Sequence, residues 1–560
     1  MSPRLKISNY VIERLSNIDT NESTGCLYGL MYDGTLLVVG LSLELFENEK
    51  NTYRHLLLNL PAEIELCGVV RFGESFTTGT TMKEILQDVD VTDNPLVMIV
   101  NEKKEMKAHF LVHDKFEETK YEVLSSDDMW KQFLHVRLNT VLPLSCEATF
   151  SGVKNILQNK RKKIASGQVS FHVDGTSVYL FGVASDVGLT GTSTEATIGE
   201  LVDSMSPEQP KKKKHNANPI ILSIFKYILF LAAFCISMPL RIDTLAMIHR
   251  NTKLLELYTV LVEAACRSLR LLESVLLEQL EGIGDGAGLR LPETFHFLPQ
   301  ELGHFVTKVV PKGIPDESME RRLMHEQLGI VQTRPVFRRG NAYSDKSGGR
   351  LVNPHEAITQ QPLKPDVTVA LVRGRYTYHH YMQDNFNDDG WGCAYRSMQT
   401  IFSWFRYQGY TTVAIPTHRD IQKCLVNIGD KQPSFLGSKQ WIGSTEVMFC
   451  LETLLGVQSR IIFANTGAEL QSYAHDLVHH FQTHGSPIMI GGGVLAHTIL
   501  GVEYNTATND IRYLILDPHY TGPEDLSTVV TKGWCGWKNS DFWNKTAHYN
   551  LCLPQTKPAI

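Results

Sequence analysis

The nine residues DDGWGCAYR, from Asp388 to Arg396, place a cysteine where a helix is predicted to begin. The apolar residues that follow recur at steps of four, three and four, which is one face of a helix with 3.6 residues per turn: Ala394, Met398, Ile401 and Phe405. A thiol in the first turn of a helix lies among unpaired backbone N–H groups and near the positive end of the helix dipole. Both favour the thiolate, which is the nucleophilic form, so Cys393 is a candidate nucleophile.

A candidate base follows a predicted strand far downstream. The run Ile511–Leu516 (IRYLIL) is short, apolar and rich in strand-forming residues, and it ends in Asp517-Pro518-His519. Side chains two apart in an extended chain point to the same side, so a carboxylate and an imidazole are presented together. The carboxylate can orient the ring and stabilise its cation. Together the two motifs favour nucleophilic catalysis over a buried structural cysteine and an ordinary turn.

Six stretches of the region from about Asp366 onward resemble the ubiquitin-fold modifier 1 specific proteases, which are papain-like cysteine proteases. They are YHHYMQD (Tyr378–Asp384), GWGCAYRSMQT (Gly390–Thr400), QWIGS (Gln440–Ser444), GGGVLAHTILGV (Gly491–Val502), LDPHYTG (Leu516–Gly522) and GWCGWK (Gly533–Lys538). The resemblance implies an α/β (α+β) catalytic domain of papain-like fold. It also implies that Cys393 is the nucleophile, His519 the general base and Asp517 the residue that orients it. Tyr381 would supply a hydroxyl to the oxyanion hole.

The oxyanion donor has alternatives in the sequence. Papain-type enzymes usually place a glutamine shortly before the cysteine, whereas here Asn387 stands six positions before it and Gln383 lies further back. A tyrosine hydroxyl can donate to a developing oxyanion as well as an amide can, and the resemblance favours Tyr381. The backbone N–H of Cys393, which follows Gly392, is the expected second donor.

His497 is a second candidate base. No carboxylate is adjacent to it in the sequence, so a buried or supporting role is favoured. The glycines at 491–493 precede it, and they would let a substrate backbone approach closely, as the narrow Gly-containing tail of the modifier requires. A phosphate loop is disfavoured because no Lys-Ser/Thr pair follows. His379 and His380 are expected to be structural or to face the substrate.

The composition is that of a globular protein. The 560 residues are 43% hydrophobic and 20% charged, and the net charge of -6 argues against a dedicated nucleic-acid binder. The ten cysteines include no CxxC pair, so neither a zinc ribbon nor a disulfide framework is predicted. No cofactor and no metal are expected. No signal peptide is recognised at the start, and a reducing compartment would suit a thiolate enzyme.

The N-terminal region, residues 1–157, is predicted to be a mixed α/β docking domain. Strands are predicted at Cys26–Leu30, Thr35–Gly40, Cys67–Phe72, Pro95–Val100 and His109–Val112, and a helix at Met82–Val89. The TGCLYG opening resembles MPN-type domains, some of which are zinc isopeptidases. The zinc form needs a His-x-His pair with a following Asp, but His109 and His113 are four apart, so a metal-free domain is predicted.

Residues 158–218 are predicted to begin a second domain and to end in a polar linker with four lysines, Lys211–Lys214. A solvated tether is favoured for these lysines, with a localisation signal or an anionic-membrane contact as alternatives. Residues 219–240 form an apolar insertion that is long enough to cross a membrane. The insertion could be buried strand and loop within the second domain. The alternatives are a membrane-spanning helix and a peripheral membrane contact, so the sequence leaves membrane contact open.

The remaining domain boundaries are predicted from changes in amino-acid composition. Residues 241–337 are predicted to continue the second domain as a helical and mixed region, which includes the amphipathic helix Leu254–Leu280. Residues 338–365 are polar and rich in turn-forming residues, and they are the predicted linker. The papain-like protease domain is predicted to occupy residues 366–560.

The resemblance implies a thiol protease that processes the precursor of ubiquitin-fold modifier 1 and removes the modifier from conjugated target proteins. The expected partners are the modifier and its conjugates, together with an endoplasmic reticulum adaptor bound through the N-terminal region; no nucleic acid is expected. The expected location is the cytoplasm and the endoplasmic reticulum surface, with the nucleus as an alternative. Two other functions stay open, an autophagin-like protease on autophagy modifiers and a catalytically inactive, modifier-binding adaptor.

Overall fold

The computed structural model divides the chain into two compact units, Met1–Val331 and Gln332–Ile560. The residues that the structure describes are 2–18, 24–43, 53–73, 80–146, 149–183, 186–205, 221–225, 237–283, 289–314, 318–330, 332, 336–343, 349–358 and 366–556. The lysines at 211–214 lie outside these residues. Each unit has hydrophobic cores of its own.

The first sheet of the first unit contains eight strands. They are β1 Arg4–Ser8, β2 Thr24–Tyr32, β3 Thr35–Leu43, β4 Glu65–Phe72, β5 Leu96–Val100, β6 Met106–Val112, β7 Lys115–Thr119 and β8 Tyr121–Leu124. Their order in the sheet is β7-β6-β5-β4-β2-β3-β1-β8. The accompanying helices are α1 Asn9–Asn17, α2 Tyr53–Asn59, α3 Thr80–Gln87 and α4 Ser126–Gln132. All five strands and the helix predicted for this region are confirmed.

A second sheet of six strands follows in the same unit. Its strands are β9 Phe133–Ser145, β10 Ser170–Val173, β11 Tyr179–Val183, β12 Asp186–Thr190, β13 Ile221–Phe225 and β14 Ser237–His249, in the order β12-β11-β10-β13-β9-β14. The helices are α5 Phe150–Ala165, α6 Ile198–Met205, α7 Leu254–Ile283 and α8 Ser318–Gln327, and the hairpin β15 Pro292–Phe297 with β16 Val306–Pro311 completes the unit. This second sheet begins at Phe133, within the range predicted for the first domain.

The amphipathic helix predicted at Leu254–Leu280 is present as the 30-residue helix α7. Its apolar face packs against α5 and β14, with Leu257, Leu261 and Leu272 fully buried. Burial within its own unit is therefore the role of this face.

The apolar insertion at 219–240 is described only at 221–225 and 237–240, and both of these segments are strand. Ile221–Phe225 pairs with β9 in parallel, and the segment from Ser237 begins β14. No helix among the described residues is long and apolar enough to cross a membrane. A helix spanning all of 219–240 does not agree with these two strands, while 226–236 lies outside the described residues.

The second unit contains a sheet of seven strands. They are β17 Val367–Leu371, β18 Ser459–Ala464, β19 Ile488–Gly492, β20 Leu495–Asn505, β21 Ile511–Leu516, β22 Cys535–Asn539 and β23 Tyr549–Pro554. The order is β18-β23-β19-β20-β21-β22, with β17 also paired to β20, and every pairing is antiparallel. The helices are α9 Cys393–Tyr407, α10 His418–Asn427, α11 Ser444–Leu455, α12 Ala474–Thr483 and α13 Leu526–Thr531.

Helix α9 packs against β19 and β20, because its predicted apolar face is buried: Ala394, Met398, Ile401 and Phe405 all lie in the core. This packing places the N-terminus of α9 beside the central strands of the sheet. The range predicted as a linker, 338–365, falls inside this unit, where Val352 pairs with Thr377.

Candidate active site

The start of α9 is shaped by a glycine. Gly392 is the residue before Cys393, and its N–H donates to the backbone carbonyl of Asp388 at 2.9 Å. A Cβ atom at position 392 would lie 2.6 Å from Cβ of Asp388, which is too close for any other residue without movement. Gly392 therefore lets the chain turn tightly over Asp388 and bring Cys393 into the first turn of α9.

The acid and the imidazole follow β21. Nδ1 of His519 lies 2.5 Å from Oδ1 of Asp517, and the backbone N–H of His519 donates to the same oxygen at 3.0 Å. The backbone of Asp517 is fixed as well, because its N–H donates to the carbonyl of Trp534 and its carbonyl accepts from the hydroxyl of Tyr378. The ring of His519 is thus held in one orientation.

The thiol of Cys393 lies against His519. Burial raises the pKa of this thiol, but its interaction with His519 outweighs that effect, with help from the backbone of Ala496 and the hydroxyl of Tyr381. The pKa of Cys393 is therefore below its usual value. Burial lowers the pKa of His519, but the hydrogen bond to Asp517 and the charges of Asp517 and Cys393 raise it to about 9. At neutral pH this pairing favours a thiolate beside an imidazolium.

Tyr381 is the oxyanion candidate that the structure places at the thiol. Its N–H donates to the carbonyl of Pro518 at 3.0 Å, and its ring meets the His519 ring edge-on at 5.3 Å. Its hydroxyl interacts with the Cys393 thiol, and each group affects the pKa of the other. Burial raises the pKa of Tyr381, so the hydroxyl keeps its proton and remains a donor.

The two amide alternatives are occupied elsewhere. The side chain of Asn387 is exposed and accepts from the N–H of Asp389. The amide of Gln383 donates to the carbonyl of Tyr378 and to the carboxylate of Glu524. Neither side chain is directed at Cys393.

His497 lies beside the acid rather than the sulfur. Its Nε2 is 3.9 Å from Oδ2 of Asp517, its ring centroid is 5.2 Å from that of His519, and Phe542 and Trp543 pack around it. His497 is buried, as expected from the sequence, although the fold brings the carboxylate of Asp517 to its ring. Burial lowers the pKa of His497 to about 4, so the ring is neutral and serves as packing behind the acid.

The neighbouring histidines are structural. His379 is buried and hydrogen-bonds the hydroxyl of Thr377. His380 is also buried, and it contacts the carbonyl of Tyr520 and the carboxylate of Glu524. Both histidines therefore stabilise the segment around Tyr381 and do not face a substrate.

One group of side chains has the donor types of a metal site. Ligand atoms of His497, Asp517 and His519 lie within 4.8 Å of one another. However, the nearest nitrogen and oxygen of the set, Nδ1 of His519 and Oδ1 of Asp517, already share a hydrogen bond. A raised pKa on His519 also means that its ring is cationic, and only a neutral imidazole binds a metal. The group is better suited to acid–base chemistry.

A buried carboxylate that no sequence motif indicates lies behind the nucleophile. Asp388 is 0% exposed; its Oδ1 accepts from the N–H of Met382 at 2.8 Å, and its Oδ2 accepts from Nε of Arg396 at 2.6 Å. Nε2 of His418 is 3.0 Å from Oδ2 as well. The one indication in the sequence is that Asp388 and Arg396, which carry opposite charges, stand eight residues apart on either side of Cys393.

The glycines at 491–493 have more than one role. A Cβ atom on Gly492 would lie 2.2 Å from the carbonyl of His548, and Gly493 has a φ of +56°. These two glycines are therefore required by packing and by the turn between β19 and β20. Close approach of a substrate backbone stays a prediction.

Comparisons with known proteins agree with this geometry. The profile of peptidase family C78 matches residues 367–552, the insect UFM1-specific protease N-terminal MPN-like domain matches 1–129, and the N-terminal domain of ubiquitin-fold modifier 1 specific protease 2 matches 230–345. The predicted mixed α/β fold, papain-like at the C-terminus and MPN-like at the N-terminus, is confirmed.

Similar proteins match over most or all of the chain. The probable Ufm1-specific protease 2 of Drosophila pseudoobscura pseudoobscura is 39% identical, over 99% of this chain and 99% of its own. Ufm1-specific protease 2 of Homo sapiens is 40% identical over 72% of this chain and 92% of its own. The crystal structure of UfSP from C. elegans aligns with a TM-score of 0.71 at 25% identity, covering 99% of both chains. The chain therefore belongs to the Ufm1-specific protease 2 family, and its second unit is the C78 peptidase domain of that family.

Proposed function

We propose that this chain is a thiol protease that processes the C-terminus of the ubiquitin-fold modifier 1 precursor and removes the modifier from conjugated proteins. The observation that carries the proposal is the pairing of the Cys393 thiol with His519, which Asp517 orients, beside the hydroxyl of Tyr381. The names of the full-length relatives supply the substrate.

The reaction follows from the positions of these groups. The thiolate of Cys393 attacks the carbonyl carbon of the modifier's terminal glycine, and the oxyanion accepts hydrogen bonds from the Tyr381 hydroxyl and the Cys393 N–H. The imidazolium of His519 gives its proton to the leaving amine, which departs and leaves a thioester. His519, now neutral, removes a proton from water; the resulting hydroxide attacks the thioester and releases the thiolate and the free carboxyl terminus.

The test is cleavage of the purified modifier precursor by the purified chain, followed by mass spectrometry of the products. Cys393→Ala should abolish cleavage without lowering the melting temperature, and His519→Ala should lower kcat by at least about 10²–10⁴-fold. Near-normal turnover by His519→Ala would transfer the base role to His497. Cleavage of autophagy modifiers alone would support the autophagin-like alternative.

A modifier with a C-terminal propargyl group separates the enzyme from an inactive adaptor. The active enzyme becomes covalently labelled at Cys393, whereas an adaptor binds the probe without forming a bond. Binding without labelling by the wild-type chain would contradict the proposed function.

We further propose that the MPN-like region docks an adaptor at the endoplasmic reticulum surface and that the chain works in the cytoplasm. The support is the match of residues 1–129 to an MPN-like domain that lacks the His-x-His pair of the zinc enzymes. Cell fractionation of the full chain and of a variant without residues 1–129 tests this. Equal recovery of both in the membrane fraction would contradict docking through this region, and recovery in nuclei would support the alternative location.

A further inference from the structure

The turn between β19 and β20 contains a valine in an unfavourable backbone conformation. Gly492 pairs with Leu495, so Gly493 and Val494 are the two central residues of a tight hairpin, with φ angles of +56° and +76°. Such turns usually carry glycine, asparagine or aspartate at both central positions. A positive φ is a marked outlier for a β-branched residue, so Val494 strains the turn.

Packing within the protein does not account for this valine. Its side chain is 72% exposed, the largest value for a large apolar side chain among the residues that the structure describes, and the neighbouring Leu495 is 47% exposed. The base of the hairpin is fixed, because Gly492 packs directly on the backbone of His548. A rigid hairpin thus presents two apolar side chains to the outside.

The position of this hairpin relative to the nucleophile indicates what the side chains contact. Ala496 comes two residues after Val494, and its backbone is one of the groups that lower the pKa of the Cys393 thiol. The next residue, His497, has its ring centroid 5.2 Å from that of His519, so this end of β20 lies at the active site. Two residues of extended chain span about 7 Å. An extended substrate whose carbonyl reaches Cys393 therefore passes Val494 within about two of its own residues.

We infer that Val494, together with Leu495, is a specificity-determining contact for an apolar side chain of the modifier's C-terminal tail, about two residues before the scissile bond. This inference rests on the proposed function. The amine that leaves differs between the precursor and each conjugate, whereas the tail is common to all substrates. A contact that recognises a particular side chain of the tail would therefore serve every substrate. The strain at Val494 is consistent with such a role, because strained residues persist where function requires them.

Four substitutions test the inference in the full-length chain. Val494→Gly and Val494→Asn suit the positive φ but remove the apolar side chain, and each should lower kcat/KM for the modifier precursor about ten-fold, mainly through KM. Val494→Ile keeps a β-branched apolar side chain and should stay within about two-fold of wild type. Val413→Gly is the matched control, since Val413 is exposed and follows the far end of α9.

Two further measurements exclude indirect effects. The melting temperature of Val494→Gly should equal or exceed that of wild type, because glycine relieves the strain. The rate of alkylation of Cys393 by iodoacetamide should be unchanged, which shows that the nucleophile is intact. Slower alkylation that parallels the loss of cleavage would assign Val494 to positioning of the Ala496 backbone and overturn the inference.

The outcomes distinguish this inference from the proposed function. If wild type cleaves the precursor and Val494→Gly or Val494→Asn does so with unchanged KM, the specificity role is wrong and the protease function stands. If wild type does not cleave the precursor, the proposed function fails and the inference fails with it.

Discussion

At the scale of single residues, the reactivity of the site depends on one carboxylate and one hydroxyl. The hydrogen bond from Nδ1 of His519 to Asp517 raises the pKa of the ring, and the charged ring in turn lowers the pKa of Cys393. Tyr381 contacts the same sulfur and keeps its proton. The charges that the reaction needs are therefore already present before the substrate binds.

The pH dependence follows from these shifts. The active pair is thiolate with imidazolium, so activity is lost on the acid side when Cys393 is protonated and on the alkaline side when His519 loses its proton, near pH 9. Asp517→Asn removes the charge that raises the pKa of His519, so the alkaline limb should move to lower pH. The profile of kcat/KM from pH 5 to 10 measures both limbs.

Asp510→Asn, an exposed substitution at the other end of β21, is the control for this experiment and should leave the profile unchanged. An alkaline limb that stays in place in Asp517→Asn would mean that Asp517 does not set the protonation of His519.

Tyr381→Phe tests the oxyanion donor. Loss of one such donor should lower kcat by about 10²–10³-fold with little change in KM, because the hydrogen bond strengthens only as the oxyanion forms. Asn387→Ala is the comparison, and it should have wild-type kcat since Asn387 is directed away from the thiol. Equal rates for Tyr381→Phe and wild type would return the role to an amide.

At the scale of secondary structure elements, one carboxylate connects three pieces of chain. Asp388 accepts from the backbone next to Tyr381 and from Arg396 on α9, and its carboxylate lies 3.0 Å from Nε2 of His418 at the start of α10. Arg396 is 1% exposed, so neither charge of this pair is solvated. The distance between the oxyanion donor and the nucleophile is thus set by a buried ion pair.

Asp388→Asn should therefore disturb the placement of Tyr381 relative to Cys393. We expect a large fall in kcat, and a Tyr381→Phe substitution added to Asp388→Asn should cost far less than it does in wild type, because the hydroxyl is already misplaced. A double-mutant cycle on kcat measures this coupling.

The neighbouring Asp389→Asn is the matched control, since Asp389 is exposed, and its kcat should equal that of wild type. If the effects of the two substitutions on kcat simply multiply, Asp388 acts through general stability and not through the position of Tyr381. Thermal denaturation of Asp388→Asn records how much stability is lost.

At the scale of the whole molecule, each unit should be able to fold by itself. The main core of the second unit runs from Ala370 to Leu553 and includes no residue of the first unit. We expect the excised fragment 332–560 to fold cooperatively and to cleave the modifier precursor with kcat/KM close to that of the full chain. An unfolded or inactive fragment, judged by circular dichroism and by cleavage, would contradict this.

Local patterns were sufficient for much of the fold. The helix that starts at Cys393 and the strand that ends before Asp517 follow from periodicity within a few residues, and they position both halves of the site. The second sheet of the first unit begins at Phe133, within the range predicted for the first domain, because β9 pairs with β14 about a hundred residues away, from Phe133 with His249 to Ser145 with Ser237. No local pattern indicates such a partner.

Likewise, only some residues of the active site could be predicted from the sequence. Cys393, Asp517 and His519 stand in short motifs, and Tyr381 followed from the family resemblance. Asp388 is not indicated by any motif because its partner His418 is thirty positions away, and an Asn-Asp-Asp-Gly stretch is typical of an exposed turn. The proximity of His497 to the acid also depends on pairing between β20 and β21.

The buried carboxylate of Asp388 has one more consequence. The N–H of Met382 donates to the side chain of Asp388, and the N–H of Gly392 donates to the backbone carbonyl of Asp388. These two amides should exchange slowly with deuterated solvent in the free enzyme, although Met382 itself is exposed. The enzyme would then meet its partner with the reacting geometry already assembled, and little binding free energy would be lost to local ordering.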